Sequence, residues 1–112
     1  MASKMIVRII PALMLTIISP QIATASEWLY CIAPSYTERK LYMSPVFATN
    51  SPGNSVESAF ATVLDQSFLR YNDIQCPKSK DEFSAMEMQQ QTVKFNQSVG
   101  NTIINLRWKP KP

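Results

Sequence analysis

The chain of 112 residues has no histidine, only two glycines and only two cysteines. Each scarcity closes off a class of chemistry. Without histidine, the usual general base near neutral pH and the commonest metal ligand are missing, and so is every Ser-His or Cys-His nucleophile pair. Gly53 and Gly100 are too few to build a loop whose backbone amides cradle a phosphate, and neither Ser-x-x-Lys nor Gly-x-Ser-x-Gly occurs. No cofactor and no metal are expected. Cys31 and Cys76 do not form a Cys-x-x-Cys redox pair; in an oxidising compartment they can join in only one way. That disulfide closes a loop of about 45 residues and should stabilise by roughly 3 to 4 kcal/mol through lost chain entropy.

A strong charge of one sign is also missing. Eleven Lys plus Arg face eight Asp plus Glu, and two of the basic residues, Lys4 and Arg8, fall in a segment that reads as an export signal. There a positive start precedes the apolar stretch 9–19, broken only by Pro11, and Ala23-Thr24-Ala25 offers the small residues of a cleavage site. The stretch is shorter than the roughly 20 apolar residues of a membrane span. Residues 1–25 are therefore expected to be a signal peptide removed after Ala25, leaving no membrane anchor, and the protein is expected to be periplasmic or secreted. The remaining nine basic and eight acidic residues carry a net charge of +1, too balanced to argue for nucleic acid as a partner. What is left suits one domain, residues 26–108, followed by a Lys/Pro tail at 109–112.

Within that domain, residues 27–33 are aromatic and branched and predict a strand, with Cys31 in it. The turn residues at 34–39 lead to a second strand at 40–44, and so short a connection requires an antiparallel hairpin. Pro45 demands a bulge or a sheet edge. After the loop 48–53, Asn54 and Glu57 have the spacing of a capping box, and Val56, Phe60, Val63, Leu64, Ser67 and Tyr71 follow at helical intervals, predicting a helix over 55–70. Pro77 closes a short strand at 74–76. Ser79 with Glu82 forms a second capping box and predicts a helix from about Lys80 with Ala85, Met88, Thr92, Phe95 and Val99 on one face. Gly100 supplies its C-terminal cap, and a last strand runs over 102–108.

The order strand, strand, helix, strand, helix, strand predicts an α+β fold: a two-layer sandwich in which a four-stranded mixed sheet carries both helices on one face. Bonded cysteines need Cα atoms within about 7 Å, so the strands of Cys31 and Cys76 should be neighbours. With the other sheet face open, Tyr30, Tyr42 and Trp108 become a candidate aromatic binding surface; otherwise they fill the core. The leading expectation is a small non-enzymatic binding protein acting on a protein partner, as an inhibitor, an immunity protein or an envelope accessory factor. A module binding cell-wall glycan, peptidoglycan, is the alternative: in size and layering the expected sandwich is similar to SPOR-type peptidoglycan-binding domains. A small hydrolase using two of the scattered carboxylates is the third reading.

Overall fold

Residues 28–33 are apolar without a break, and such a strand has two faces to bury. The computed structural model describes residues 27–111; the expected signal peptide lies outside them. Leu29, Tyr30, Cys31 and Ala33 are all buried, although their side chains alternate between opposite sides of the strand.

This segment forms two strands in line, β1 (Glu27–Leu29) and β2 (Ile32–Ser35). The turn at 36–39 leads back into β3 (Lys40–Met43) and β4 (Phe47–Thr49). Helix α1 (Gly53–Gln66) follows, then β5 (Lys78–Ser79), α2 (Glu82–Ser98) and β6 (Thr102–Asn105). The strands assemble into two three-stranded sheets, ordered β4-β1-β5 and β2-β3-β6. The pairing β3–β6 is parallel and the others are antiparallel.

The expected single four-stranded sheet is thus divided, and two prolines account for it. Leu29 opposes Phe47 while Ile32 opposes Met43, so Tyr30 and Cys31 face three residues, 44–46, across a bulge that contains Pro45. On the other side the register is unbroken: Leu29 pairs with Lys78, the Tyr30 amide donates to the Pro77 carbonyl at 3.3 Å, and Ile32 bridges to Gln75. Pro77 has no amide hydrogen to return to this ladder, which leaves β5 as a two-residue strand. The register sets Cys31 opposite Cys76, where the disulfide forms with Cα atoms 4.0 Å apart.

The two helices lie on opposite faces of the strands, not on one. Helix α1 packs Val56, Phe60 and Leu64 onto Leu29, Cys31, Ala33, Tyr42 and Phe47. Helix α2 covers the side from which Tyr30 projects; the Tyr30 hydroxyl lies 2.7 Å from Thr92 Oγ1, and the Gln89 amide donates to the Ser44 carbonyl at 2.9 Å. The central strands are apolar on both sides, with Leu41 and Met43 buried behind Tyr42. One helix layer would have left half of that surface in water.

Neither expected capping box forms. Helix α1 starts at Gly53, with Pro52 as N-cap and no side-chain cap; the Pro52 carbonyl accepts from Ser55 and Val56. In α2 the cap is Asp81, whose carboxylate accepts from the Ser84 amide at 2.8 Å. Ser79 is engaged in β5 opposite Trp28. Both helices end in the same hydrogen-bond pattern. In α2 Gly100 bonds back to Gln97 and Asn101 to Asn96; in α1 Phe68 bonds back to Asp65 and Leu69 to Leu64. Helix α1 therefore stops at Gln66, four residues short of the expected end.

Candidate functional site: the loop end of the domain

Three segments meet at one end of the domain: the β2–β3 turn 36–39, the loop 67–73 after α1, and the last turn of α2. Hydrogen bonds tie them together. Asn72 accepts from the Tyr36 amide through Oδ1 at 2.8 Å, and its own amide donates to the Pro34 carbonyl at 2.7 Å. The Arg39 guanidinium donates to the Val99 carbonyl at 2.6 Å, and the Arg39 carbonyl accepts from the Thr102 amide at 2.9 Å. A cation over the final carbonyls of α2 also complements the negative end of the helix dipole.

The backbone is under strain here. Arg39 and Phe68 hold positive φ angles of 54° and 58°, the only non-glycine residues to do so among the described residues, and Gly100 sits at 92°. A Cβ on Gly100 would collide with the Arg39 guanidinium, so this glycine is required twice over. Around this framework stand large apolar side chains in water: Phe68 at 92 % exposure, Tyr36 at 66 %, Phe95 at 65 %, and Val99, also exposed. The Tyr71 hydroxyl donates to Asp65 Oδ1 at 2.9 Å and pins the loop to α1. That hydrogen bond, followed by desolvation and the Asp65 charge, holds the Tyr71 phenol above its usual range.

The residues expected to form an aromatic surface lie elsewhere. Tyr30 and Tyr42 are each 2 % exposed and project from opposite faces, Tyr30 beneath α2 and Tyr42 into the α1 core. Trp108 is half-buried, edge-on to Phe47 at 6.0 Å and tilted against Phe60 at 5.2 Å. They share no common face and form no platform. The tail does not simply extend into solvent; Lys109 and Lys111 border a cleft of about 690 Å³ with Thr49, Asn50 and Ser51.

Several carboxylates are engaged in structural roles. Asp81 caps α2, Asp65 takes the Tyr71 hydroxyl, Asp73 accepts the Ile74 amide, and Glu38 and Glu27 lie near Lys40 and Lys78. Among the described residues no group of three could hold a metal ion, and no helix is long and apolar enough to cross a membrane. Asn96, the first residue of an Asn-x-Ser sequon, spends its side chain on the Thr92 carbonyl and on Asn101.

Phe68 carried no signal of exposure in the sequence: it continues the four-residue spacing of Val56, Phe60 and Leu64 in a helix predicted to include it. Phe95 and Val99 were expected to face inward. Their exposure depends on how α2 is turned, and Asn96 and Gln89 take the inward positions. Compared with family models, with curated proteins and with solved structures, the chain matches none.

Proposed function

We propose that this chain is an exported, non-enzymatic binding module, periplasmic or secreted, that docks a protein partner on its loop end as an inhibitor, an immunity protein or an envelope accessory factor. One observation carries the reading: Tyr36, Phe68, Phe95 and Val99 stand exposed around a framework that includes Arg39 and Phe68 at positive φ. Aromatic side chains on a rigid support lose little entropy on binding and dominate interface energetics. Strained backbone persists where the surroundings over-determine it, and such places cluster at functional sites. The disulfide of so small a domain suits an oxidising compartment. A cell-wall glycan is the second reading, favoured by the same exposed rings, on which a sugar could stack.

The test is capture from an envelope extract, with a parallel co-sedimentation assay on purified peptidoglycan. The exported, disulfide-bonded protein is compared with a Y36A/F68G/F95A variant. Stoichiometric capture of one protein by the wild type and not by the variant, without pelleting, supports the reading. Pelleting with the wall that the variant loses moves the assignment to the glycan, and equal capture by both proteins removes the loop end as the site.

A further inference from the structure

One flank of α2 overhangs a groove of about 1170 Å³ whose floor includes Met43, Ile103 and Asn105 and which reaches Gly100 beside the loop end. Phe83, Met86, Gln90, Val93 and Gln97 form its wall. They recur every three or four residues, the spacing of a seam that receives a second helix. Phe83 is 70 % exposed and Met86 51 %, while Ala85 alone is fully buried on α2. The helix thus presents more apolar surface to this groove than a solvated flank would.

Charge identifies the occupant. Glu87 and Lys94 both line the groove, two helical turns apart, and neither is in an ion pair among the described residues. A helix that fits here needs an acid opposite Lys94 and a base opposite Glu87, in reversed order along its axis. Helix α2 meets that description when it runs antiparallel to itself. We infer that α2 of a second copy occupies the groove, related by a two-fold axis beside Gln90. Glu87 of each copy then faces Lys94 of the other, Phe83 lies against the Gln97 end, and Met86 against Val93. At the axis Gln90 meets its own counterpart, and an amide can both donate and accept. An interface of this type is self-complementary, as a two-fold contact must be. Tyr36, Phe68, Phe95 and Val99 do not line the groove, so the dimer leaves these side chains of the loop end free.

Sedimentation velocity on the exported, disulfide-bonded protein tests the inference. The wild type is expected at twice the monomer mass. E87K or K94E alone sets like charges against each other twice per dimer and should weaken association about tenfold or more. An equimolar mixture of the two variants restores both opposite-charge pairs and should recover the wild-type dimer. Both side chains are exposed, so the fold is retained in each variant. A wild-type monomer at about 0.1 mM, single variants that associate as tightly as the wild type, or a mixture no tighter than its components would each overturn it.

Discussion

Phe68 combines two features that a chain normally avoids in one residue: a bulky side chain in the left-handed region and almost complete exposure of an aromatic ring. The position is the one that follows a helix C-cap, where glycine is preferred because it has no Cβ to crowd the following carbonyl. Phe68→Gly should therefore raise stability by roughly 1 kcal/mol while removing partner capture, and chemical denaturation with an unchanged m-value is the check. Ser44 shows the opposite balance. Its buried hydroxyl accepts the Cys31 amide at 2.8 Å and donates to the Pro45 carbonyl at 2.9 Å, replacing a ladder bond that the bulge takes away. Ser44→Ala leaves the buried Cys31 amide unpaired and should cost about 1 to 3 kcal/mol, seen as a lower denaturation midpoint. In the sequence Ser44 is only a polar residue before a proline; its role exists because the bulge places its oxygen above Cys31.

Helix α2 depends on Asp81 for its start. The Ser84 amide, and then the Ser84 hydroxyl, hydrogen-bond the Asp81 carboxylate and hold its pKa below the ordinary value. A depressed carboxylate stabilises the fold above its unfolded pKa and loses that contribution as pH falls through the folded one. Asp81→Ala should accordingly melt at a lower temperature than the wild type at pH 7, and the gap should close on acidification below pH 4; thermal melts across that range measure it. Apolar spacing places Ala85, Met88 and Thr92 on the inward face of the same helix, where they lie, but also Phe95 and Val99, which are exposed. Beneath α2 the strands present the Tyr30 hydroxyl and the Ser44 carbonyl, and a buried polar group must be paired. Thr92 and Gln89 supply the pairing, which rotates Phe95 and Val99 into solvent. The C-terminal end was legible because Gly100 marks it, whereas α1, ending in Phe68, carries no such mark.

For the molecule as a whole, the disulfide joins the two halves of the chain across one strand pair. It links Cys31, which is fully buried in the core between β1 and β2, to the edge segment 75–79. That segment is otherwise held by few ladder bonds, one of them lost at Pro77. A Cys31→Ala/Cys76→Ala variant should lose roughly 3 to 4 kcal/mol, the entropy of the loop that the bond closes. Denaturant titration of the oxidised protein beside the variant measures the difference. A loss much below 1 kcal/mol would mean that the pairing with β1 and Ile32 and the packing around the segment hold it in place without the disulfide.

Local chemistry settled much of this protein in advance. Two cysteines allow one disulfide, the alternating and helical patterns place most of the strands and both helices, and the proline at 45 allows either a sheet edge or the bulge that forms. These features depend on neighbours in the chain, so the order of residues is enough to read them. The tertiary structure decided the rest: which side of the strands each helix covers, which aromatic rings are core, and where apolar surface is left in water. Tyr30 and Tyr42 became core because the strands bury both faces; Tyr36 became surface in a turn held by distant Asn72, and Phe95 because the pairing of Thr92 and Gln89 with the strands turns it outward. Those choices are made between segments more than 60 residues apart, and no local pattern encodes which face meets which.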